Sequence, residues 1–162
     1  MRAYDFRRVV ETDLSLIARW RRAPHVRAWW GEPTGEDEPD QLADRRISMW
    51  LVALDARPFA YVQDYDVHGW SAHPLSHLPP GSRGVDLYIG EADMLHRGHG
   101  PAFVDQHVAR LFADGAPAIG TDPHPSNVSA RRAYEKAGFV VTGGPVETPW
   151  GRALLMERWR AR

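Results

Sequence analysis

The apolar positions of the chain switch between the two-residue period of strands and the longer period of helices. Apolar residues alternate at Val85, Leu87 and Ile89, and this run predicts a strand. A glycine-broken turn at residues 95–100 follows and leads into a helix predicted at residues 101–114. Glycines let a backbone approach a ligand closely, and free N–H groups in a first helical turn attract anions. We name residues 95–100 the glycine loop and predict that it binds an anionic ligand.

Similar patterns predict the elements before this strand. Helical spacing follows the polar residues Thr12 and Asp13, either of which is a suitable helix cap. The adjacent Trp29 and Trp30 point about 100° apart on a helix, so we expect one indole to face the core and the other a cleft. The predicted elements are, in chain order, a strand at 4–10, helices at 14–22 and 25–30, a loop at 32–40, a helix at 41–48, and a hairpin of strands at 49–54 and 58–67.

The second half of the chain continues this alternation of strands and helices. Ser126 or Asn127 caps a predicted helix, and Gly138 is suited to end it. The predicted elements are an irregular loop at 68–83, a strand at 117–121, a helix ending at Ala137, and a closing hairpin of 139–142 with 152–158. The alternation predicts a single domain over residues 1–162, of the α/β (α+β) class, with a mixed sheet flanked by helices.

Composition excludes several classes of protein. A formal net charge of -1 argues against a general nucleic-acid binder, which is usually basic. The absence of cysteine excludes disulfides, thiol nucleophiles and cysteine metal sites. No apolar run approaches the length of a membrane span, so we expect a cytoplasmic protein that does not bind membranes.

Two local clusters remain open to a functional interpretation. Acidic residues are concentrated between Glu32 and Asp44, and three of them could steer a cation toward a site: Glu36, Asp37 and Glu38. The histidines of the long loop lack a nearby carboxylate and suitable spacing, so we expect no metal there. In the same loop, Trp70 marks either a ligand surface or a packing contact over the sheet.

The glycine loop is weakly specific alone, but a second string is much more specific. Residues 122–139 read DPHPSNVSARRAYEKAGF. Together the two stretches resemble the GNAT acetyltransferase superfamily, in which the loop binds a pyrophosphate. Its pattern begins with Gln or Arg, whereas this chain has Leu95, so Arg97 or the backbone alone would supply the missing contact.

The resemblance implies a GNAT fold, with a central mixed, mostly antiparallel twisted sheet flanked by helices. It implies acetyl-CoA as co-substrate and no metal. The residues that would bind acetyl-CoA are Leu87, Tyr88, Ile89, Arg97, Gly98, His99, Gly100, Pro101, Asn127, Arg131 and Tyr134.

Acetyl transfer to an amine needs a proton acceptor, because an unperturbed alkyl amine has a pKa of about 10. Asp86 is our candidate base, since it lies on the opposite face of the strand from Val85 and Leu87. The alternative for Asp86 is a structural ion pair with a nearby arginine. Tyr134 occupies the family position of the acid that protonates the leaving thiolate, and the alternative is a half-buried aromatic on a helix.

Within the superfamily, the chain is most similar to the aminoglycoside 6'-N-acetyltransferases, on strings spread along its whole length. This similarity implies an acceptor site containing Trp30, Asp64, Asp86 and Asp122. Two alternatives stay open. One is the same chemistry on another amine, such as a siderophore precursor, a polyamine or a protein N-terminus. The other is a non-catalytic domain that binds coenzyme A. We expect a monomer or a homodimer.

Overall fold

The structure is a computed structural model that describes residues 2–35 and 37–162. Its strands are β1 (Asp5–Arg8), β2 (Ile47–Leu54), β3 (Arg57–Asp66), β4 (Arg83–Ile89), β5 (Ala118–Thr121), β6 (Val140–Val141), β7 (Val146–Thr148), β8 (Gly151–Ala153) and β9 (Met156–Trp159). Its helices are α1 (Leu14–Arg22), α2 (Pro24–Trp30), α3 (Asp37–Ala43), α4 (His99–Ala113) and α5 (Val128–Lys136). Short 3-10 turns lie at Glu11–Asp13 and Ala92–Met94.

Seven of these strands form one sheet in the order β1-β2-β3-β4-β5-β9-β6. The pairs β1/β2, β5/β9 and β6/β9 are antiparallel, whereas β4 and β5 are parallel. A separate two-stranded sheet consists of β7 and β8. The predicted mixed, mostly antiparallel sheet with flanking helices is therefore confirmed.

Backbone contacts divide the described chain into two compact units. The first unit comprises the chain up to Asp64 together with Leu87–His99, and the second comprises Tyr65–Asp86 and Gly100–Arg162. The strand β4 contributes its first four residues to the second unit and its last three to the first. The single domain over residues 1–162 stays a prediction.

The first unit has a core of aromatic and aliphatic side chains. Ile17 and Trp20 lie on one face of α1 and are buried together with Met49, Leu51, Tyr61 and Tyr88. Trp20 packs over a residue without a side chain, because a Cβ at Gly90 would lie 2.1 Å from its ring. A larger residue at that position would displace the indole.

The second unit is built around β5, all four residues of which are buried. The long loop after β3 packs on this strand, because a Cβ at Gly120 would lie 2.8 Å from Leu75 and 3.1 Å from Leu78. Both leucines are completely or almost completely buried. The loop predicted as irregular thus lacks helix and strand, as expected, but contributes to the core.

Two predictions of local structure are wrong. Residues 37–43 form α3, although we expected a loop up to residue 40 and a helix over 41–48. A buried ion pair explains the helix, since Glu38 of α3 contacts Arg21 of α1. The prediction for the connection of the closing hairpin is also wrong: β6 pairs with β9, as predicted, but the segment between them forms the β7–β8 hairpin instead of a loop.

The acidic stretch is only partly open to solvent. Glu38 is buried and paired with Arg21, so it does not serve the steering role that the sequence suggested. Glu36 lies outside the described residues. Within the described ranges, no helix is long and apolar enough to cross a bilayer. The cytoplasmic location and the oligomeric state stay predictions.

Candidate active site

The register of β4 and β5 brings two carboxylates of the second unit close together. Arg83 pairs with Ile119 and Gly84 with Gly120. Asp86 follows Gly84 by two residues, and Asp122 follows Gly120 by two residues. Side chains alternate along a strand, and aligned residues of parallel strands share a face. Asp86 lies in the middle of β4 and Asp122 directly after the end of β5. The negative charge of Asp86 acts on Asp122, so the two carboxylates are close enough to influence each other.

We name Asp86 and Asp122 the acidic pair. The pKa of Asp122 is shifted far from its ordinary value. Burial raises the pKa of Asp122 to about 7, and the negative charge of Asp86 adds to the increase. A hydrogen bond from the Trp150 indole N–H to Asp122 Oδ2, 2.8 Å long, opposes it. A bound cation would favour the fully ionised pair.

Four aromatic rings form a strip in the second unit, which we name the aromatic strip: Tyr65, Trp70, His73 and Trp150. The ring centroids of Tyr65 and His73 are 5.1 Å apart, those of Tyr65 and Trp70 5.9 Å, and those of His73 and Trp150 5.4 Å. Tyr65 also lies directly over Gly84, where a Cβ would be 2.3 Å from its ring. The absence of a side chain at Gly84 therefore makes room for the strip beside β4.

His73 holds a fixed and uncharged state within this strip. Its Nδ1 accepts the backbone N–H of Leu75 at 3.1 Å, so a neutral ring carries its proton on Nε2. Burial lowers the pKa of His73. No group of three or more histidine or acidic side chains suited to a metal occurs in the part of the chain that the structure describes.

Tyr134 of α5 is buried, with 4% of the residue exposed. Burial raises its pKa well above the ordinary value, the charges of Asp86 and Asp122 add to the increase, and a hydrogen bond with Thr121 opposes it. The phenol is therefore protonated at neutral pH. A protonated phenol with a hydroxyl partner fits the role of a proton donor.

The start of α5 contains two residues predicted to bind acetyl-CoA. The Oδ1 atom of Asn127 accepts the backbone N–H of Ala130 at 3.2 Å, so this side chain caps the helix. Arg131 donates from Nη1 to the Pro125 carbonyl at 3.0 Å. A Cβ at Gly100 would lie 3.7 Å from the Cβ of Ala133, so the start of α4 comes close to α5. Both predicted residues thus have a structural role at the helix start.

The glycine loop has a backbone that favours glycine at one position. Gly98 has a φ of +79°, and His96, two residues earlier, has a φ of +58°. Nothing lies within 4 Å of a Cβ built at Gly98, so its backbone conformation, rather than space, requires glycine. Arg97 between them is exposed, and its carbonyl accepts a hydrogen bond from Arg2 at 3.1 Å.

The helix α4 begins at His99, two residues earlier than predicted, so the glycine loop runs directly into its first turn. The His99 side chain is 4% exposed and its Nδ1 lies 2.9 Å from the Tyr4 hydroxyl. Its ring also contacts Phe59, with centroids 5.2 Å apart. The imidazole is therefore part of the first unit's packing, and an anion would be bound by the backbone here. Pro101, two residues after His99, is half-buried.

Trp30 lies in an aromatic cluster of the first unit. Its ring contacts Tyr88 edge-on with centroids 4.9 Å apart, and Tyr61 at 6.0 Å. The Arg21 guanidinium lies over the same indole, 5.7 Å from its centroid. We expected one of the two adjacent tryptophans to face the core. Trp30 is half-buried and Trp29 is 48% exposed, so the expectation is partly met.

The last three residues of β4 belong to the same unit. Tyr88 is buried, while Leu87 and Ile89 are half-buried. The Ile89 carbonyl lies 2.8 Å from Nε2 of His25, and the N–H groups of Gly90 and Glu91 both donate to the Phe59 carbonyl. Because two successive N–H groups share one acceptor, the regular strand pairing of β4 ends at Ile89, before the glycine loop.

Asp64 has a well-defined partner in the first unit. It is 2% exposed, and its Oδ2 accepts the indole N–H of Trp50 at 2.8 Å. The buried carboxylate thus links β3 to the neighbouring strand β2. Its predicted place in the acceptor site stays a prediction.

Sequence reasoning missed Trp150, Tyr65 and His73 as possible site residues. The sequence offered one signal for Trp150. This tryptophan lies in a segment rich in glycine and proline, residues 144–151, which is typical of an exposed turn rather than of the core. Tyr65 and His73 had no such signal, because only the fold brings Tyr65 over Gly84 and His73 of the long loop against Tyr65.

The comparisons with known proteins assign this fold to a class of enzymes, the coenzyme A-dependent N-acyltransferases. The family model described as an acetyltransferase (GNAT) domain matches residues 9–144. The chain therefore belongs to the GNAT acetyltransferase family. It is an N-acetyltransferase with acetyl-CoA as co-substrate.

Curated relatives and solved structures agree with this family. Aminoglycoside N(6')-acetyltransferase type 1 of Klebsiella pneumoniae is 35% identical over 95% of this chain and 82% of its own length. Lysine N-acyltransferase MbtK of Mycobacterium tuberculosis is 27% identical over 86% of this chain and 70% of its own. The crystal structure of aminoglycoside acetyltransferase AAC(6')-Ib in complex with coenzyme A superposes with a TM-score of 0.89, at 35% identity over 98% of this chain and 95% of that chain.

Proposed function

We propose that the protein transfers the acetyl group of acetyl-CoA to the 6'-amino group of an aminoglycoside. The observation that carries the proposal is the acidic pair, two interacting carboxylates beside an aromatic strip. A polycationic sugar needs carboxylates for its ammonium groups and flat walls for its rings. The relatives support the same acceptor, since one AAC(6')-Ib structure of 34% identity contains coenzyme A and kanamycin.

In this proposal Asp86 is the general base. The acceptor arrives as an ammonium ion and must lose a proton before its nitrogen can attack a carbonyl carbon. The negative charge of Asp86 adds to the raised pKa of Asp122, so the two carboxylates act on each other electrostatically. Asp86 thus takes the proton directly or through one water, while Asp122 binds a second ammonium group.

The glycine loop and the start of α4 would hold acetyl-CoA. Their backbone N–H groups bind a pyrophosphate, and Arg97 adds a positive charge in place of the family residue at Leu95. The left-handed backbone at Gly98 fits such a cradle. Bound there, the co-substrate supplies an activated acetyl group as a thioester.

The remaining roles belong to β4 and α5. Backbone N–H groups of Leu87, Tyr88 or Ile89 would stabilise negative charge on the carbonyl oxygen. Tyr134 would protonate the leaving sulfur, and its raised pKa keeps that proton available. Asn127 and Arg131 would contribute through the shape of the α5 start. Trp30 and Asp64 would complete the acceptor site.

Thiol release from acetyl-CoA tests the proposal with two aminoglycosides that differ only in an amine or a hydroxyl at the 6' position. We expect turnover with the 6'-amine alone, and a loss of about 100-fold or more in kcat for Asp86→Asn, because general bases contribute on this order. Turnover with both acceptors would contradict the 6' assignment. An Asp86→Asn variant as active as the wild type would contradict the base.

A lysine acceptor belongs in the same assay, since MbtK is a lysine N-acyltransferase. Turnover with lysine but with neither aminoglycoside would move the proposal to an amino-acid acceptor. Binding of coenzyme A by calorimetry without turnover on any amine would favour the non-catalytic alternative.

A further inference from the structure

Trp150 of the β7–β8 hairpin contacts Asp122 of the acidic pair. It lies in the turn between β7 and β8, and 58% of the residue is exposed. An indole this exposed gains little from burial, so specific contacts must hold it. Two are present: the N–H donates to Asp122 Oδ2 at 2.8 Å, and the ring packs on His73 with centroids 5.4 Å apart.

The turn itself is locked in the conformation that presents this indole. The Thr148 hydroxyl donates to the Gly151 carbonyl at 2.6 Å and accepts the backbone N–H of Trp150 at 3.3 Å. Gly151 has a φ of +119°, a region that favours glycine. Just beyond β8, the Leu154 N–H donates to the Pro123 carbonyl at 2.8 Å. The hairpin is therefore tied to the backbone next to Asp122 as well as to its side chain.

The charges around Asp122 determine what the hydrogen bond from Trp150 does to this carboxylate. Asp86 on β4 acts on it with a negative charge, and Asp122 in turn acts on Tyr65 of β3 and Tyr134 of α5. Burial and the charge of Asp86 both oppose a charge on Asp122, whereas a backbone hydrogen bond favours it. The indole N–H also favours the charged carboxylate and directs it, because a charge-assisted hydrogen bond is stronger than a neutral one.

We propose that Trp150 is a positioning residue: its indole N–H fixes Oδ2 of Asp122 and leaves Oδ1 for an ammonium group of the acceptor. The β7–β8 hairpin thereby sets the geometry with which the acidic pair receives a cation. The effect on the acceptor rests on the proposed function, whereas the bond to Asp122 can be measured without any acceptor.

Trp150→Phe tests the role, because it keeps an aromatic ring for His73 and removes the N–H. The chain offers a matched control in Trp159→Phe. Trp159 is 55% exposed and its N–H also donates to a carboxylate, Glu157 Oε2 at 3.0 Å. In Trp150→Phe we expect the KM of the acceptor to rise about tenfold, which corresponds to about 1.4 kcal/mol. The KM of acetyl-CoA should stay unchanged, and kcat should change less than the acceptor KM.

The pH profile separates this role from a merely structural one. Without the N–H, Asp122 ionises at higher pH, so the acidic limb of acceptor kcat/KM should move upward. Trp159→Phe should leave both the limb and the acceptor KM at the wild-type values. The proposal is overturned if Trp150→Phe has wild-type KM and pH profile, or if both variants change alike.

A second measurement needs no turnover. The indole N–H signal of Trp150, assigned in ¹⁵N-labelled protein by its loss in Trp150→Phe, should shift as Asp122 titrates around pH 7. The shift should be absent in Asp122→Asn. If the protein acetylates aminoglycosides but the indole N–H signal of Trp150 does not change with pH, the positioning role is overturned and the proposed function is kept. A titrating signal in a protein without aminoglycoside turnover supports the positioning and refutes the proposed function.

Discussion

The raised pKa of Asp122 lowers the stability of the folded protein near neutral pH. Its pKa is about 7 in the folded protein against an ordinary value of 3.8. Below about pH 4 both folded and unfolded chains hold the proton. Between the two values the unfolded chain has released it and the folded chain has not, so stability falls as pH rises. Above pH 7 the folded protein carries an unfavourable charge that an acceptor cation would offset.

We therefore expect Asp122→Asn to stabilise the free protein at pH 8 by on the order of 1–2 kcal/mol, and to have little effect at pH 4. The amide oxygen still accepts the Trp150 N–H, so that contact is kept. Urea unfolding at the two pH values measures the difference. Asp114→Asn, at an exposed position, is the control and should show no gain. A variant less stable than the wild type at pH 8 would contradict the electrostatic argument.

Individual residues were predictable where their type and position in a motif define their chemistry. Asp86 and Tyr134 were predicted in this way, and their catalytic roles stay predictions. Trp150 could not be assigned, because its contact with Asp122 spans 28 residues and depends on a turn that the sequence analysis read as loop.

At the scale of elements, the glycine loop depends on one backbone conformation. Gly98 has a left-handed φ with open space around it, so a side chain there meets backbone strain and no clash. Left-handed conformations are unfavourable for other residues by about 1–2 kcal/mol. An alanine would relieve this strain by moving N–H groups away from their positions in the cradle.

We expect Gly98→Ala to weaken acetyl-CoA binding about tenfold in calorimetry, which corresponds to about 1.4 kcal/mol. Gly115→Ala is matched to it, since Gly115 also has a positive φ, +105°, with nothing within 4 Å of its Cβ, and lies outside the loop. Both variants should lose similar stability, but only the first should lose affinity. Equal losses of affinity would mean that the loop does not hold the co-substrate.

Elements with a regular apolar period were predicted well, and those that depend on distant contacts were not. The helix at Leu14–Arg22 was predicted with the observed bounds, because its apolar spacing and its start signal lie within the segment. The acidic α3 has no such pattern, and its Glu38 is buried only by the contact with Arg21. The β7–β8 hairpin is short and mostly exposed, so it lacks the alternation that reveals a strand.

At the scale of the whole molecule, the chain passes between its two units inside regular elements. The boundaries fall within β3, within β4 and at the first residue of α4. A strand or helix that contributes to both units cannot keep one part ordered after the other unfolds without losing hydrogen bonds. This connection favours one cooperative transition for residues 1–162.

Scanning calorimetry should therefore show a single transition, with equal calorimetric and van't Hoff enthalpies. Saturating acetyl-CoA at about 100 times its Kd should stabilise the protein by about 2.7 kcal/mol and raise the Tm of that same transition. Two separate transitions, or a shift of only part of the signal, would contradict the single domain.

The register between β4 and β5 also limits how descendants of this chain can vary in length. Successive side chains of a strand point to opposite faces, so one inserted or deleted residue reverses every position that follows. Such a change between Gly120 and Asp122 would turn the second carboxylate away from the face of Asp86. Substitutions within β5 leave that alignment intact. Over evolutionary time this strand can gain or lose residues only in pairs, and the close packing of Leu75 and Leu78 on Gly120 limits which residues it can exchange.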